Sequence, residues 1–532
     1  MNLEEIRQQI NDIDKELIKL FEKRMKCVID VARFKQENNL PIFQPEREEI
    51  VIKNNLKFVQ DDSLKVSAQK MLVYLMEVSK EYQSEILELK NDIPKLSSKK
   101  YGLLGEKLGH SLSPEIHEHF FNLTNIKASY VLNQVPKNKV NSVVEAIKAL
   151  DMDGVNVTIP YKEQVIFQLD KISDEAKKIG SVNTIKIVGN KAFGYNTDYF
   201  GIGEMLNSGK IVVDGNDFYI LGAGGSAKSV ICYLLDHNAK NVVLVTRDKQ
   251  KAMRHFKNIE IIDYIEFEAI DKAYCIVNTT PVGMYPNCGN SPISENKIKC
   301  FSAAVDLIYN PLETEFLKYA RENGLITVNG LYMLVAQAIK SQEIWQEQIY
   351  SIEIIDTIYK RLKNILKIKQ SSIYLIGFMG AGKTTVGKML ANILDMPFVD
   401  MDEYIEEAQN TTIKEIFTKY GEDYFRKLEF NALEQSDDIP TIYATGGGIL
   451  TNPKSKEYLE SKKCVYLKND IDALYERIKN DENRPLVDTL ENLEQRFLSR
   501  KDTYETVSCV QIETKGLNVS EVVEKIIELM GE

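Results

Sequence analysis

A glycine-rich loop near residue 380 has the composition of a phosphate-binding loop. The segment GFMGAGKT at 377–384 fits the pattern G-x-x-x-x-G-K-[ST], follows the apolar run IYLI at 373–376 and precedes a helical pattern. In this context backbone N–H groups surround phosphates, Lys383 reaches the β- and γ-phosphates, and the Thr384 hydroxyl binds Mg²⁺. The alternative interpretation is a chance glycine-rich turn. The pattern predicts a nucleoside triphosphate site.

Charged residues downstream of this loop could hold an anionic phosphoryl acceptor. Asp400 and Asp402 end a predicted strand, so we expect both side chains on one face. An arginine taken alone is more often a solvated surface charge. Several arginines and a glycine cluster nevertheless accompany the two aspartates: Arg426, Arg484, Arg500 and the glycines at 446–448.

Six motifs in this order resemble the shikimate kinase family across residues 371–532. They are GFMGAGKT, FVDMDEYIE, GEDYFR, ATGGG, ENRPL and R-x-x-x-Y. The resemblance implies an α/β kinase that uses ATP and Mg²⁺ to phosphorylate shikimate, with Asp402 on the ring hydroxyls as candidate base and Asp400 near Mg²⁺. Guanidinium groups suit the substrate carboxylate. The other implied roles are carboxylate binding by Arg426 and Arg500, backbone donation by Gly447 and Gly448, phosphoryl stabilisation by Arg484 in a lid, adenine stacking by Arg477, and nucleotide binding by Gly380, Ala381, Gly382, Lys383, Thr384 and Thr385.

A second glycine-rich turn, at residues 222–227, follows the apolar run DFYIL. Its sequence GAGGSA fits G-x-G-x-x-[GA], which binds dinucleotides but also occurs in ordinary strand-to-helix turns. The next predicted strand ends at Arg247, and Lys251 adds a positive charge, which suits a 2′-phosphate and favours NADP over NAD. Asp248 argues the other way, because a carboxylate repels a phosphate. The candidate cofactor residues are Gly222, Ala223, Gly224, Gly225, Ser226, Ala227, Arg247, Lys251 and Gly330.

Polar motifs surround that turn in a fixed order: HSLSPEIH, NVTIPYK, SVNT, NTD, NTTPVGM, Tyr309 and LYMLVAQ. The first taken alone is also an ordinary helix start. Together the motifs resemble shikimate dehydrogenase across about 100–365. His117 and His119 are two apart on a predicted helix and face different ways, so we expect structural or solvated histidines rather than metal ligands. The resemblance implies that substrate carboxylate and hydroxyls are held by Ser111, Ser113, Asn156, Thr158, Asn183, Tyr309 and Gln337.

The same resemblance implies a catalytic pair, Lys162 and Asp198. Reducing a ketone requires a hydride at carbon, which nicotinamide supplies, and a proton at oxygen. A buried cationic lysine beside a carboxylate can donate that proton, whereas outside its motif Lys162 would be interpreted as a surface lysine. The expected reaction is reduction of 3-dehydroshikimate to shikimate by NADPH. The alternative is a quinate enzyme that uses NAD, against which Arg247 argues.

Cationic side chains interrupt a helical pattern at the N-terminus. Apolar residues between Leu3 and Leu20 recur at spacings of three and four, a heptad seam. Arg24 falls where this seam requires an apolar residue, and Lys35 lies three turns farther along the same face. Cations inside a helical bundle require a reason. A bound dianion is one explanation, and snorkelling of long side chains at the rim is the other.

Four motifs resemble the all-helical chorismate mutase family across about 1–88: L-x-x-I-R at 3–7, D-x-x-L-I-x-L-F-E-K-R at 14–24, P-x-x-x-x-E-R-E at 41–48 and S-x-x-x-Q at 79–83. Gln44 departs from an acidic residue usual in the family. Rearranging chorismate to prephenate requires only a compact bound conformer and stabilised negative charge on the ether oxygen. The implied site comprises Arg7, Arg24, Arg47, Glu48 and Ser79 around the substrate, with Lys35 and Gln83 at the ether oxygen.

The helical seam also predicts a homodimer, because about ninety residues cannot bury one long seam within a single chain. Arg7 lies 17 residues before Arg24, about 25 Å along a straight helix. Arg7 is therefore expected to act from the partner chain, as the resemblance also implies. A rival hypothesis makes this domain a regulatory dimeriser that binds chorismate or prephenate without turnover. Gln44 favours that rival, and the nearly complete cationic set favours catalysis.

The elements that must position these residues divide the chain into three domains. We expect an all-α mutase domain at 1–90, a polar linker at 91–100, an α/β dehydrogenase with a Rossmann half at 101–366, and an α/β kinase at 371–532. Within the dehydrogenase, the substrate part would comprise about 101–200 plus helices at about 331–365, and the NADP part about 205–330. Alternating short apolar runs and helical segments predict parallel sheets.

Composition limits the class of protein. The 532 residues are 44% apolar and 27% charged, as in globular proteins. No apolar run reaches 18 residues, and the N-terminus lacks a signal-peptide layout, so we expect no membrane span. A net charge of −11 disfavours nucleic-acid binding. Seven cysteines without a C-x-x-C pair predict free thiols and a cytoplasmic location. The sequence thus predicts a cytoplasmic three-enzyme chain whose central enzyme makes shikimate and whose last enzyme consumes it.

Overall fold

The computed structural model describes residues 3–37, scattered residues between 51 and 79, and residues 99–531 except 110, 436–438 and 480–489. It contains two compact units, residues 1–98 and 99–532. Helix α1 spans Leu3–Glu37, 35 residues without glycine or proline. Val28 on this helix is buried, and Met76 is buried among the residues described after it. We call residues 3–79 the N-terminal region, 99–368 the central region and 371–531 the C-terminal region.

The first half of the central region is a six-stranded mixed sheet in the order β2-β1-β3-β5-β6-β4. Strand β1 pairs in parallel with β2 and β3, and β5 runs antiparallel to β3 and β6. Residues 101–105 of β1 are buried, because helices cover the faces of this sheet. The elements are β1 Lys99–Gly105, α2 Ser113–Thr124, β2 Ala128–Gln134, α3 Val143–Ala149, β3 Gly154–Val157, β4 Lys171–Ile172, α4 Asp174–Ile179, β5 Thr184–Val188 and β6 Lys191–Tyr195, with 3₁₀ turns at Lys137–Ser142 and Gln164–Gln168.

The second half of the central region is a parallel six-stranded sheet in the order β12-β11-β10-β7-β8-β9. The order reverses between β7 and β10, the doubly wound arrangement that leaves a crevice beyond the carboxyl ends of these two strands. The elements are β7 Asp217–Leu221, α6 Gly225–Asp236, β8 Asn241–Val245, α7 Lys249–His255, β9 Glu260–Ile262, α8 Tyr264–Glu268, β10 Ala273–Asn278, α9 Glu295–Ile298, β11 Phe301–Asp306, α10 Glu315–Glu322 and β12 Ile326–Val328.

Three helices connect the halves of the central region: α5 Asp198–Ser208, α11 Leu331–Gln346 and α12 Ile352–Ile368. Helices α5 and α11 pack closely at Gly201, where an added Cβ would lie 2.7 Å from the Met333 carbonyl oxygen. Glycine is therefore required for this approach. Because α5 begins at Asp198, the packing fixes one member of the predicted catalytic pair relative to both sheets.

The C-terminal region is a five-stranded parallel sheet in the order β14-β15-β13-β16-β17. Its central strand β13 is fully buried and leads directly into the glycine-rich loop. The elements are β13 Ile373–Ile376, α13 Lys383–Leu394, β14 Phe398–Asp400, α14 Met401–Gln409, α15 Ile413–Tyr420, α16 Glu422–Glu434, β15 Ile442–Ala444, a 3₁₀ turn Ile449–Thr451, α17 Pro453–Glu460, β16 Lys463–Lys468, α18 Ile471–Ile478, α19 Leu490–Val507, β17 Val510–Glu513 and α20 Val519–Gly531.

Helix α12 joins the central and C-terminal regions through one continuous hydrophobic core. Ile358, Leu362 and Ile365 are buried along one stripe of α12. Polar contacts with α20 lie on a second stripe: Lys367 Nζ donates to the Gly531 carbonyl oxygen at 2.6 Å, and Arg361 forms an ion pair with Glu524. The two regions therefore share a packed interface.

The structure differs from the sequence-based expectations at Asp402 and at the start of the central region. Strand β14 ends at Asp400, and Asp402 lies in the first turn of α14, so the prediction that both side chains share a strand face is wrong. The Asp400 carboxylate caps α14 instead, accepting the Asp402 backbone N–H at 3.0 Å. The predicted linker at 91–100 lies mainly outside the described residues, and Lys99 and Lys100 already belong to β1. Among the described residues, no helix is both long and apolar enough to cross a membrane.

Candidate active sites

The structure brings Lys162 and Asp198 into direct contact. Lys162 follows β3, Asp198 opens α5, and Lys162 Nζ donates to Asp198 Oδ2 at 2.6 Å. Asn183 Nδ2 donates to the other carboxylate oxygen, Oδ1, at 2.8 Å. The lysine side chain remains 22% exposed and that of the aspartate 10%, so the ammonium is reachable from outside. A cation held by a carboxylate at the rim of a cavity can pass a proton to a ligand oxygen.

Predicted substrate-binding residues form a connected polar network beside this pair. Tyr130 Oη donates to Asn156 Oδ1 at 2.8 Å and also contacts Ser113. Ser111 Oγ lies 3.1 Å from Ser113 Oγ. Thr197 Oγ1 bridges Asn183, 3.0 Å from its Nδ2, to Gln337 Oε1 at 3.4 Å. Neutral hydroxyls and amides therefore converge near one lysine.

Thr158 and Tyr309, the remaining predicted substrate residues, follow strand ends in the same region. Thr158 lies just beyond β3, and its backbone N–H donates to the Leu104 carbonyl oxygen at 2.9 Å. Tyr309 follows β11 and is half-buried. Burial, reinforced by the charge of Glu115, raises the pKa of Tyr309. The phenol stays protonated at neutral pH and can donate to a carboxylate.

The two histidines on α2 are His117, which is buried, and His119, which is partly buried. His117 is fully buried, its Nδ1 lies 2.8 Å from Gln342 Nε2, and its ring stacks on Tyr130 with centroids 4.0 Å apart. Burial lowers the pKa of His117 to about 3, so the ring is neutral at pH 7. Burial likewise lowers the pKa of His119 to about 4. Within the described part of the chain, no cluster of His, Cys, Asp or Glu could hold a metal.

A cavity of about 320 Å³ opens at the carboxyl ends of β7, β8 and β10. Gly222 there has φ +94°, and an added Cβ would lie 2.7 Å from Thr280 Cγ2. Arg247 and Lys251 supply positive charge to the wall. The lining residues are Gly222, Ala223, Gly224, Thr246, Arg247, Asp248, Lys251, Ala252, His255, Tyr264, Thr279, Thr280 and Pro281. The predicted residues Gly225, Ser226 and Ala227 form the first turn of α6. The cavity thus fits a dinucleotide that carries an extra phosphate.

Asp248 does not oppose such a phosphate in the way the sequence suggests. Its carboxylate oxygen Oδ1 accepts the backbone N–H of Lys251 at 2.9 Å and caps α7. Part of its negative charge is therefore offset by the helix N-terminus. Packing requires glycine at position 330, one of the predicted cofactor residues, because an added Cβ would lie 2.0 Å from the Leu307 carbonyl oxygen.

The glycine-rich loop of the C-terminal region has the predicted strand–loop–helix geometry. Gly380 and Gly382 have φ of +80° and +89°, conformations that glycine adopts without strain. Lys383 Nζ donates to the carbonyl oxygens of Gly377 at 2.8 Å and Phe378 at 3.0 Å. The lysine is therefore held over the loop that would surround the phosphates. Ala381 lies in the loop, and Thr385 in the first turn of α13.

Thr384 and Asp400 meet across this loop, with Thr384 Oγ1 donating to Asp400 Oδ2 at 2.6 Å. A hydroxyl and a carboxylate next to a phosphate loop are oxygen ligands of the kind Mg²⁺ prefers. Arg477 reaches the loop from α18, its Nη1 donating to the Gly380 carbonyl oxygen at 3.2 Å. The predicted lid residue Arg484 lies outside the described residues.

The predicted acceptor residues cluster around glycines 446–448. Arg426 is buried on α16, and Arg500 Nη1 on α19 donates to the Gly447 carbonyl oxygen at 3.0 Å. A Cβ on Gly448 would lie 2.1 Å from Arg426 Nη2, and one on Gly446 would lie 3.0 Å from Asp402 Oδ1. These glycines leave room for the charged side chains.

Two glutamates that the sequence analysis missed support Arg426. Glu422 Oε1 accepts from Arg426 Nη2 at 2.7 Å, and Glu429 Oε2 accepts from Nη1 at 2.5 Å. Glu429 is completely buried, and burial raises the pKa of this carboxyl to about 7 against the lowering effect of Arg426. The spacings of four and three residues along a helix would have pointed to both glutamates.

In the N-terminal region, two predicted site residues meet. Arg24 on α1 donates through Nη1 to Ser79 Oγ and to the Leu75 carbonyl oxygen, the latter at 3.2 Å. Arg7 is exposed on the same continuous helix. The backbone of Lys35 belongs to α1, but its side chain lies outside the described residues. Arg47, Glu48, Gln83 and Gln44 also lie outside them.

Family models match three consecutive stretches of the chain. The model of chorismate mutase type II matches residues 6–84, that of the shikimate dehydrogenase substrate binding domain residues 103–185, and that of shikimate kinase residues 379–531. The three resemblances inferred from motifs are confirmed.

Curated relatives match the central region over nearly their whole length. The chain is 53% identical over 267 residues to the NADP(+) shikimate dehydrogenase of Clostridium perfringens, which covers 50% of this chain and 98% of that protein. It is 47% identical over 268 residues to the corresponding enzyme of Clostridium beijerinckii, covering 50% of this chain and 99% of that protein. The chain belongs to the shikimate dehydrogenase family.

A solved fusion protein resembles this family member. The crystal structure of a chorismate mutase/shikimate 5-dehydrogenase fusion from Clostridium acetobutylicum shares 46% identity with a TM-score of 0.50, covering 51% of this chain and 100% of that chain. That protein is described as a fusion of chorismate mutase and shikimate dehydrogenase, which are two of the three families matched by the present chain. The present shikimate dehydrogenase family member adds a region that matches the kinase model.

Proposed function

We propose that the chain is a trifunctional enzyme of aromatic biosynthesis. It rearranges chorismate to prephenate, reduces 3-dehydroshikimate to shikimate with NADPH, and phosphorylates shikimate to shikimate 3-phosphate with ATP and Mg²⁺. The observation that carries the proposal is the order of three family matches along one chain. The Lys162–Asp198 pair, the Thr384–Asp400 pair and the Arg24–Ser79 contact provide a reactive group or ligand set for each activity.

In the dehydrogenase, Lys162 acts as the proton donor and Asp198 keeps it charged and oriented. A bound nicotinamide supplies the hydride. The hydroxyls and amides around Asn156 and Asn183 hold the ring hydroxyls, while Ser111, Ser113 and Tyr309 hold the carboxylate. With the substrate held by these groups, Lys162 would donate the proton to the ketone oxygen.

NADP rather than NAD is the proposed cofactor of the dehydrogenase. Arg247 and Lys251 line the dinucleotide cavity, and Asp248 is engaged as a helix cap. Basic groups at this position suit a 2′-phosphate. The alternative, a quinate enzyme that uses NAD, predicts turnover with quinate and NAD⁺. Initial rates with each substrate and each cofactor on the intact chain separate the two.

In the kinase, Arg426 and Arg500 bind the shikimate carboxylate, and Asp402 accepts the proton of the attacking hydroxyl. Gly447 and Gly448 offer backbone N–H groups. Lys383 would neutralise charge on the β- and γ-phosphates, and Thr384 and Asp400 would hold the magnesium ion. Arg484 would stabilise the transferring phosphoryl group, and Arg477 would pack on adenine. Positioning and electrostatic stabilisation supply most of the catalysis in phosphoryl transfer.

In the mutase, Arg24 and Ser79 form part of a site that binds a dianion, with Arg47, Glu48, Lys35 and Gln83 completing it. A homodimer through α1 is proposed for two reasons. Ile13, Leu17 and Leu20 are 59%, 51% and 62% exposed on α1, and burying such side chains stabilises association. Arg7 and Arg24 lie on one continuous helix, so they are about 25 Å apart along its axis. Arg7 is proposed to serve the partner's site.

Mixing tests this dimer. Chains that carry Arg7→Ala or Arg24→Ala should each be nearly inactive as mutases. Heterodimers formed by co-refolding should regain one intact site of two, detected as prephenate formation. Recovery of no activity despite heterodimer formation would contradict the arrangement, as would an active monomer in sedimentation.

The rival hypothesis is a regulatory role for the N-terminal domain. Such a domain would bind chorismate or prephenate without converting either, and would alter the dehydrogenase or kinase rate instead. Prephenate formation by the intact chain decides between the two hypotheses, because a sensor gives no more at saturating chorismate than the uncatalysed rearrangement does.

The proposal includes the domain limits and the location. We assign residues 1–90 to the mutase, 91–100 to a linker, 101–366 to the dehydrogenase and 371–532 to the kinase. A reducing cytoplasm is consistent with the seven free cysteines. Three separate assays on the intact purified chain, for prephenate, for NADPH oxidation with 3-dehydroshikimate and for ADP formation with shikimate, test the trifunctional proposal. Failure of one assay removes only that activity.

A further inference from the structure

Ser341 is a buried hydroxyl on the otherwise mainly apolar inner face of α11. It is 0% exposed, although its neighbours on that face include Ala338 and Trp345. Its Oγ donates to the Gln337 carbonyl oxygen at 2.9 Å and accepts from Asn156 Nδ2 at 2.8 Å. It also lies 2.9 Å from Thr184 Oγ1 and 3.3 Å from Thr197 Oγ1. One hydroxyl therefore lies where β3, β5, α11 and the start of α5 meet.

The hydrogen-bonding capacity of Asn156 defines what Ser341 does. The amide oxygen of Asn156 accepts from Tyr130 Oη at 2.8 Å, so the amide nitrogen must find acceptors. Ser341 Oγ is the nearest, at 2.8 Å, and Thr184 Oγ1 follows at 3.1 Å. With its proton on Gln337, Ser341 has lone pairs free to accept. The pair Tyr130 and Ser341 thus fixes which way the Asn156 amide points.

The same hydroxyl is connected to the catalytic pair. Asn156 Nδ2, which donates one hydrogen to Ser341, donates the other to Thr184 Oγ1 at 3.1 Å, and Thr184 Oγ1 donates in turn to Asn183 Oδ1 at 3.1 Å. Asn183 Nδ2 in turn donates to Asp198 Oδ1 at 2.8 Å, and Asp198 holds Lys162. Hydrogen bonds therefore run from Ser341 through Asn156, Thr184, Asn183 and Asp198 to the ammonium of Lys162. Buried polar networks of this kind hold their members rigidly only when every group is satisfied.

We propose that Ser341 is a positioning residue of the dehydrogenase, which orients Asn156 directly and the Asn183–Asp198–Lys162 series through Asn156 and Thr184. The inference rests on the proposed substrate role of Asn156 and Asn183. Ser341 has no contact with the dinucleotide cavity, whose described lining residues do not include it. Replacing Ser341 should therefore lower turnover of the keto-acid substrate and leave binding of the cofactor unchanged.

The test compares Ser341→Ala and Ser341→Cys with Ser229→Ala in the full chain. Ser229 is a matched control, because it is 1% exposed and its Oγ has no hydrogen-bond partner. We expect Ser341→Ala to lower kcat/KM for 3-dehydroshikimate at least about tenfold, since the buried Asn156 amide loses its nearest acceptor. The KM for NADPH, the kinase rate and the Ser229→Ala enzyme should change less than about twofold.

Ser341→Cys separates positioning from packing. Cysteine fills nearly the same volume but is a weak hydrogen-bonding group, so we expect a loss close to that of Ser341→Ala. Wild-type kcat/KM in the cysteine variant would overturn the proposal, as would equal losses for both substrates. If Ser341→Ala lowers the yield of folded chain, the kinase rate of the same preparation corrects for the amount of folded chain. The cysteine variant then tests the hydrogen bond independently.

A double-mutant cycle with Asn156→Ala distinguishes failure of this inference from failure of the proposed site. If Ser341 acts through Asn156, the loss in the double variant should be smaller than the product of the single losses. Full activity in Asn156→Ala would remove the proposed role of Asn156 itself. A defective Asn156→Ala with an unaffected Ser341→Ala would leave that role intact and remove only Ser341.

Discussion

The dehydrogenase and the kinase of this chain bind one molecule, shikimate, with opposite chemistry. In the proposed assignment, neutral hydroxyls and amides of the dehydrogenase surround it, and the charged pair, Lys162 and Asp198, is partly exposed beside them. The kinase buries a guanidinium, that of Arg426, and balances it with Glu422 and the fully buried Glu429. We therefore propose that the dehydrogenase site binds the carboxylate by dipoles and the kinase site binds it by charge.

The difference has an energetic consequence. Burying an ion pair costs desolvation, and removing one partner leaves the other charge uncompensated. A neutral network loses only one hydrogen bond when one hydroxyl is removed. We therefore expect the kinase site to lose more when one charge is removed than the dehydrogenase site loses when one substrate-contacting hydroxyl, such as that of Ser111, is removed.

The proton donor gives the largest expected effect. Lys162→Ala should lower dehydrogenase kcat about 10²–10⁴-fold, because general acids contribute rate enhancements of that size. Kinase and mutase rates should stay near normal. Lys228→Ala is the control, since this lysine is also largely buried and paired, with Nζ 2.6 Å from Glu163 Oε1. A Lys162→Ala enzyme that keeps more than about a tenth of wild-type kcat would exclude this role.

Removing the buried guanidinium tests the charged site. Arg426→Ala should lower kinase kcat/KM for shikimate at least about a hundredfold and destabilise the kinase by about 3–5 kcal/mol, because Glu429 loses its cation. Adding Glu429→Gln should restore stability but not activity. Lys427→Ala, at an exposed neighbouring position, serves as control. If Arg426→Ala keeps its KM for shikimate within twofold, the assigned carboxylate contact is wrong.

The stability of the dehydrogenase should depend on pH through the buried His117. Burial lowers the pKa of His117 from 6.5 to about 3, so between these values the unfolded chain binds a proton that the folded chain does not. The free energy of unfolding should then fall as pH falls below about 6.5, by about 1.4 kcal/mol per unit.

Trp345 provides the measurement for that pH effect. It is the one tryptophan of the chain, is buried, and stacks on Tyr101 with ring centroids 4.5 Å apart. Denaturant unfolding followed by its fluorescence at pH 6.5 and 5.0 should give a loss in wild type about 2 kcal/mol greater than in His117→Gln. The exposed His255→Gln should behave as wild type, and equal losses in all three chains would contradict a neutral buried ring.

The smallest effect is expected for a single hydroxyl. Ser111→Ala should raise the dehydrogenase KM for 3-dehydroshikimate by about fivefold, equivalent to about 1 kcal/mol for one neutral hydrogen bond. Steady-state kinetics at fixed NADPH measure it. A loss as large as that of Arg426→Ala in the kinase would show that the two sites do not differ in the way proposed.

The sequence predicted those parts of both sites that depend on local backbone geometry. The loop around Lys383 and the turn at Gly222 are strand–loop–helix units whose glycines need positive φ, so spacing alone identifies them. The order of motifs also predicted that Lys162 and Asp198 meet, although 36 residues separate them.

Contacts between distant elements could not be predicted in that way. Ser341 and Asn156 are 185 residues apart and meet only because α11 packs beneath the sheet. Asp402 was expected on a strand, but Asp400 caps a helix there and ends the strand. The interface of α12 with α20 depends on how two domains pack, which helical periodicity alone does not specify.

One measurement tests the central claim most directly: product analysis of the intact chain supplied with 3-dehydroshikimate, NADPH, ATP and Mg²⁺. The wild-type chain should form shikimate 3-phosphate. Lys383→Ala should stop at shikimate, and Lys162→Ala should form neither product from 3-dehydroshikimate yet still phosphorylate added shikimate. A wild-type chain that accumulates shikimate without phosphorylating it, or a single lysine variant that loses both activities, would contradict two independent sites for one molecule.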